Sequence, residues 1–271
     1  MRLDATWIRN MLGAGLLCCG LASAAEIRVT ITNLAPANGT FLTPVWAGFH
    51  DGSFDLYDIG TPASLAVERV AEDGDTGQLM TDFAASGAGN AQGTLGGGPI
   101  APGSSVSMSF LLDGMSGMSR YFSYASMIVP SNDAFIANGN PLAFPIFSPG
   151  GTFLGANFIV LGSMVNDAGT EVNDEAPMNT AFFGQVTPNT GADENGVAMI
   201  HPGFLPAGSG GILDDAMFAG ADFKTAGYQV ARIQVELVPE PSTVVLSAAG
   251  LVALVVAVRR RVLINPVWRK N

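Results

Sequence analysis

Apolar and polar residues alternate with a period of two in segments at either end of the central part of the chain. Ile27, Val29 and Ile31 interleave with Arg28, Thr30 and Thr32; Ala231, Ile233, Val235 and Leu237 interleave with Arg232, Gln234 and Glu236. A strand points successive side chains to opposite faces, so both segments read as strands with one face on a core and one in water. One-sided sheets of this kind are antiparallel. Val106, Met108 and Phe110, set among serines, repeat the pattern. The apolar runs 121–129 and 158–161 are continuous instead, and the latter predicts a buried strand. No repeat at a solenoid period is visible.

One region breaks the β pattern. Thr61-Pro62 supplies an N-cap followed by Pro at the first helical position, so a helix over 63–71 is expected. Asp73-Gly74-Asp75 then reads as the joint to a second short helix, with Asp75 capping it and Leu79, Met80, Phe83 and Ala84 on one face. The Gly-rich stretch 87–103 reads as a flexible connection. These elements predict an all-β fold: an antiparallel β-sandwich of about eight strands with one or two short helices.

The two ends of the chain carry addresses rather than core. Arg2 and Arg9 precede an apolar run over 11–21, and Ala22-Ser23-Ala24 has the small residues of a secretory cleavage site, so 1–25 reads as a signal peptide. Cys18 and Cys19 are the chain's two cysteines and both lie in that segment, which leaves an exported domain without disulfides. At the other end, Val238-Pro239-Glu240-Pro241 precedes an apolar run over 244–258 and then Arg259-Arg260-Arg261. Fifteen residues span about 22 Å as a helix, and counting from Pro241 brings the segment just inside the range for a transmembrane span. The arginines place its far end in the cytoplasm. Pro-Glu-Pro, apolar helix and Arg cluster resemble the PEP-CTERM sorting signal, which implies an exosortase-type processing protease as partner. On this reading 26–238 is the folded domain, 239–261 the sorting signal with its transmembrane helix, and 262–271 a cytoplasmic tail. The chain is then exported, held transiently in the inner membrane and placed at the cell surface or outside it after processing.

Charge separates these parts. Between Glu26 and Val238 there are 21 acidic and 5 basic residues, a net of −16, whereas the whole chain carries −11. So acidic a domain lacks the Lys and Arg patches that bind nucleic acid or anionic lipid, so contact with the membrane is expected only through the carboxyl-terminal helix. Such a charge either attracts divalent cations or simply keeps the domain soluble.

The acidic residues concentrate at Val165-Asn166-Asp167-Ala168-Gly169-Thr170-Glu171-Val172-Asn173-Asp174-Glu175. Unpaired buried carboxylates cost several kcal/mol each, so this loop is expected outside the core. Ca²⁺ takes six to eight such oxygens. A second oxygen-rich turn, Pro130-Ser131-Asn132-Asp133, follows the run 121–129. The segment Met127-Ile128-Val129-Pro130-Ser131-Asn132-Asp133-Ala134-Phe135, taken with Asp167-Ala168-Gly169-Thr170-Glu171, resembles the amino-terminal domain of the spondins. That family has a Pro-Ser-x-Asp-Trp-Phe turn and an Asp-Ala-Gly-Thr-Asp turn that give three carboxylates to one Ca²⁺. The resemblance covers roughly 26–237 and implies a C2-like sandwich with Asp133, Asp167 and Glu171 as metal ligands. Ala134 stands where the family has Trp, and Glu171 where it has Asp. Asp174 and Asp193 are the substitutes should Glu171 swing away.

Catalytic signatures are sparse. His50 and His201 are the only histidines, no Gly-x-Ser-x-Gly elbow is present, and no Cys or His pair has zinc spacing. Asn38-Gly39-Thr40 matches a glycosylation acceptor but reads more simply as a turn. The sequence therefore favours a non-enzymatic Ca²⁺-binding protein of the cell surface or of an exopolysaccharide-rich matrix. A metal-assisted glycan- or lipid-binding module is the alternative, to be supported by exposure of Phe135, Phe144 and Phe147. A glycan hydrolase using a carboxylate pair is a third.

Overall fold

The alternating segments from the two ends of the domain become neighbouring strands. In a computed structural model, residues 24–239 are described. Strand β1 (Ala25–Asn33) lies between β11 (Gln229–Leu237) and β5 (Ser105–Leu112), antiparallel to both, with Val29 opposite Val235 and Met108. Strand β8 (Ala156–Leu161) completes this four-stranded sheet in the order β5-β1-β11-β8. Ile27, Val29 and Ile31 are fully buried while their neighbours reach solvent or partial cover, as the period of two requires. Each such side chain contributes about 1.5–3 kcal/mol on burial.

The facing sheet runs β10 (Met199–Ile200), β9 (Asn166–Asp167), β7 (Ala134–Ala137), β6 (Tyr121–Val129), β3 (Val45–His50) and β4 (Gly89–Leu95), with β2 (Phe41–Leu42) also pairing with β6. Every pairing is antiparallel. Eight of the eleven strands in the described residues have four residues or more. The two sheets enclose a core that includes Ile31, Phe49, Phe110, Phe122, Tyr124 and Val235. Helices α1 (Leu65–Asp73) and α2 (Gly77–Ser86) cover the other face of the second sheet, packing Val70, Leu79 and Phe83 on Trp46. Strand β3 is therefore buried along its whole length, which is why its sequence does not alternate.

Four local expectations are corrected. Helix α1 begins two residues later than Pro62 suggested, because Ser64 caps it, its side chain accepting from Val67 N at 3.3 Å. Thr61 instead closes a turn through Asp58 O. The joint between the helices falls where expected, with Gly74 at φ 66°, but Thr76 rather than Asp75 is the N-cap of α2; Asp75 precedes it, its carboxylate accepting from Gly77 N at 2.8 Å. The Gly-rich segment is not simply a flexible connection, since Gly89–Leu95 forms an edge strand on β3. A Cβ on Gly93 would sit 2.6 Å from Met108 Sδ, so glycine lets β4 lie against the opposite sheet. Strand β8 is an edge strand rather than a buried one, with Val160 inside and Leu161 exposed.

Among the described residues no helix is long and apolar enough to cross a membrane. The expected transmembrane segment, the tail 262–271 and all but the last two residues of the expected signal peptide lie outside the described residues.

Candidate metal centre

Asp133 ends the turn that leads into β7, and Asp167 ends β9. These two strands pair, with Ala134 opposite Asp167 and Phe135 opposite Asn166, and Ala168 N donates to Asp133 O at 3.2 Å. Ladder register thus makes neighbours of two turns more than thirty residues apart in sequence. Asn132 stitches them further, donating to the Asp174 carboxylate at 3.2 Å and accepting from Glu175 N. Gly169 takes φ 67° at the bend, where a Cβ would lie 2.6 Å from the backbone N and O of Val197.

Each of the three expected ligands is held by main-chain donors, and unequally. Asp133 Oδ2 accepts from Thr170 N at 2.8 Å, from Glu171 N at 3.2 Å and from the Thr170 hydroxyl at 3.3 Å. Its Oδ1 is buried without a partner. Glu171 Oε1 accepts from Gly191 N at 2.9 Å, whereas its Oε2 is buried without a partner. Asp167 uses both oxygens, Oδ1 on Gly169 N at 2.7 Å and Oδ2 on the Asn173 amide at 2.6 Å.

The acidic loop is not outside the core. Asp133, Asp167 and Glu171 are 0%, 3% and 3% exposed, and Glu175 is buried with them. The expectation of exposure fails because loop backbone N–H groups supply much of what water would have supplied. Glu175 shows the satisfied case: Oε2 accepts from Ile212 N at 2.7 Å and Oε1 from Leu205 N. Asp133 and Glu171 show the unsatisfied one. No basic side chain pairs with either among the described residues, where Arg69 makes the ion pairs, to Glu68 and Asp73. Burial, reinforced by the charge of Asp167, holds the Asp133 carboxyl well above the usual range, and burial raises Asp167 as well. Burial and then the charge of Glu72 push Glu171 up to about 8.

Glu72 and two amide and imidazole partners were not picked out in the sequence reading. Glu72 lies in the last turn of α1, is buried, and is pushed up to about 7 chiefly by that burial. The helix reaches the loop because Val67 and Ala71 pack on Phe135 and Ala168. Asn173 is held between Asp167 and His201, whose Nε2 lies 3.1 Å from Asn173 Oδ1. His201 Nδ1 accepts from Gly203 N, which leaves the proton on Nε2 to donate to Asn173. The spacing of Asn173 from His201 gave no local signal for this chain of contacts. Of the suggested substitutes, Asp174 is turned to Asn132 and Asn179, and Asp193 bridges Glu171 through the backbone.

The donor set fits a hard cation: carboxylate oxygens, two of them buried without a partner, and no thiol. No group of three or more His, Cys, Asp or Glu among the described residues is already arranged to take a metal ion. Glu171 Oε1 is bonded to Gly191 N, and both Asp167 oxygens are engaged by Gly169 N and the Asn173 amide. Beside the cluster, Glu68, Glu72, Thr170, Asn189 and Asp193 line a cleft of about 500 Å³.

The remaining polar residues look structural. His50 Nδ1 accepts from Gly52 N, its Nε2 lies 2.9 Å from Ser123 Oγ, and burial pushes its pKa down to about 4, as it does for His201. Asn38 takes φ 60° in the expected turn, its amide donating to Ala216 O at 2.7 Å. Phe135 and Phe147 are buried, and Phe144 is partly buried and stacked on Phe158 at 3.9 Å. The aromatic face that a ligand-gripping module would present is not formed by these three.

Compared with known families, residues 237–261 match the PEP-CTERM protein-sorting motif, the segment that contains Pro239-Glu240-Pro241 and the Arg cluster. No curated protein matches the chain. The motif implies export and membrane-associated sorting to the cell surface, and an exosortase is the enzyme that recognises it.

Proposed function

We propose that this chain is an exported, non-enzymatic Ca²⁺-binding protein of the cell surface or extracellular matrix, with a spondin-type, C2-like domain as its working part. One observation carries the reading: among the described residues, Asp133 and Glu171 each bury a carboxylate oxygen that has no partner, with no basic side chain paired to either group. Removing charged groups from water costs several kcal/mol per ion unless they are compensated. A divalent cation compensates the cluster directly, and its charge and coordination bonds fix the two turns against each other.

The chain's own residues would share the work. Asp133, just before β7, and Asp167, in β9, are brought together by the β7–β9 pairing, and Glu171 would join them by releasing Gly191 N and turning inward. Loop carbonyls and water complete the shell. Asn173 and His201 hold Asp167 in place, acting as positioning residues rather than ligands. Flexible oxygen ligands favour Ca²⁺ over Mg²⁺. The partner outside the cell would be exopolysaccharide or another matrix component, met after an exosortase has acted on the carboxyl end.

Ca²⁺ titration of the metal-stripped protein by calorimetry tests this. Extracellular modules bind at about 10⁻⁴–10⁻³ M. Wild type is expected in that range, and Asp133→Asn and Asp167→Asn should each weaken binding at least tenfold. A wild-type protein that takes up no Ca²⁺ at 5-fold above about 10⁻³ M sinks the proposal.

A further inference from the structure

The second sheet leaves a gap beside its own edge. Strand β9 pairs with β7 only at Ala134 and Phe135, whereas β7 stays paired with β6 as far as Ala137. Just before β9 the chain makes a single 3-10 turn, Gly162–Met164, instead of continuing the ladder. A cleft of about 320 Å³ lies there, lined by Ala137 on one side and Met164 on the other, and its size suits a small molecule. Tyr124 and Phe144 also line it, their ring centroids 6.2 Å apart, and Ile59 and Ile200 line it while reaching solvent.

The hydrogen-bonding groups of the cleft divide into spent and unspent. The Asn138 side chain accepts from Tyr124 N at 3.0 Å and donates to Ser123 Oγ at 2.9 Å and Asn140 O at 3.2 Å. The Asn166 amide donates to Tyr57 Oη at 2.8 Å and to Met164 O at 3.3 Å. Tyr57 accepts that bond, and its own proton has no acceptor among the described residues. Tyr124 is 1% exposed, and its hydroxyl has no hydrogen-bond partner among the described residues. That hydroxyl is not one of the atoms sealed off without a partner, and the cleft is the space that Tyr124 lines.

Two phenol donors thus meet one cleft, and no group of the protein receives them. No Asp, Glu, Lys or Arg lines it, so an ion entering would find no counter-charge, and the net −16 of the domain repels an anion besides. We propose that this cleft binds a small uncharged molecule with an apolar body and an acceptor oxygen. The oxygen takes hydrogen bonds from Tyr124 and Tyr57, and the body lies against Phe144 and Ala137. The site stands independently of the Ca²⁺ reading.

Acetophenone is the probe, its carbonyl the acceptor and its ring the body. Titrated by NMR into the full chain in chelator, it is expected to shift the signals of cleft residues and to saturate. Tyr124→Phe removes one donor and keeps the ring, so binding should weaken about fivefold while the melting temperature does not fall. Ala143→Trp, at the exposed lip of the cleft, should block binding. Benzoate, the anion of similar shape, should bind at least tenfold more weakly than acetophenone, and glucose more weakly still. Failure of acetophenone to saturate overturns the site. Equal binding by Tyr124→Phe, or a variant less stable than wild type, overturns the role of the hydroxyl. Benzoate or glucose binding as tightly as acetophenone overturns the class of ligand. Should Tyr124→Phe fail to fold, the wild-type titration and Ala143→Trp decide, and unchanged binding in Ala143→Trp overturns the cleft as the place of binding.

Discussion

Glu171→Gln should make the metal-free protein more stable and make it indifferent to Ca²⁺. The Gln carbonyl can keep the bond from Gly191 N, while its neutral amide replaces the buried, unpartnered Oε2. The gain follows from the acidity of the group. Folding raises the Glu171 carboxyl to about 8, against about 4.3 in an unfolded chain. The folded state thus binds the proton more tightly, and stability falls as pH rises through that window. At pH 7.5 the carboxyl must be held protonated at a cost of about 4 kcal/mol, from 1.36 kcal/mol per pH unit over roughly three units. Water penetration and relaxation lower this, so about 1–3 kcal/mol is the expected gain for the Gln variant. In a domain of this size that raises Tm by about 3–9 °C.

Calcium should narrow the gap. At ten times its Kd, a ligand that binds only the folded state adds about 1.4 kcal/mol to wild type, whereas the Gln variant has lost a ligand and gains little. Thermal melts at pH 7.5, in chelator and in millimolar Ca²⁺, give four values for the two proteins. A Gln variant less stable than wild type in chelator would mean that the Glu171 carboxylate is a structural acceptor. An equal Ca²⁺ increment in both proteins would show that Glu171 does not hold the ion.

The histidines should act with the opposite sign. Burial lowers His50 and His201 to about 4, so the unfolded chain takes up their protons first and stability falls from about pH 6.5 toward 4, by up to about 3 kcal/mol each; urea midpoints across that range should drop less in His50→Gln and His201→Gln. Gly169→Ala puts a Cβ 2.6 Å from the Val197 backbone at φ 67° and should cost about 2 kcal/mol or more in a urea melt while abolishing the Ca²⁺ response. Intact mass of the secreted protein should show a species ending near Pro241, and one that retains Arg259 to Arg261 would refute processing at the sorting motif.

What the sequence disclosed depended on how many faces of an element are covered. Strands β1 and β11 announce themselves because each has one face on the core and one toward solvent. Strand β4 was hidden, since Gly89 and Gly93 are there to let neighbouring segments approach: a Cβ on Gly89 would meet Phe49 O at 2.1 Å. A residue chosen for its lack of a side chain contributes nothing to a periodic pattern. The helix α1 boundary was missed because Thr61-Pro62 and Ser64 offer competing starts, and only the bond to Val67 N decides between them.

The candidate site was half legible for a related reason. Asp133, Asp167 and Glu171 sit in turns whose composition marks them, and the β7–β9 ladder then juxtaposes them. Glu72 carries no such mark. On a sequence it is one more acidic residue at a helix end, and its burial exists only once Val67 and Ala71 have docked on Phe135 and Ala168. The argument that carboxylates must stay outside the core was sound about cost and wrong about place. Glu175 meets that cost with two backbone donors, whereas Asp133 and Glu171 leave one oxygen each unmet. A fold that spends its glycines bringing backbone against Glu171 and Glu175, at Gly191 and Gly211, has closed the loop around those carboxylates rather than left them to solvent. The unmet oxygens are therefore where a cation would do most for stability, and their neutral replacement is where its absence would be easiest to measure.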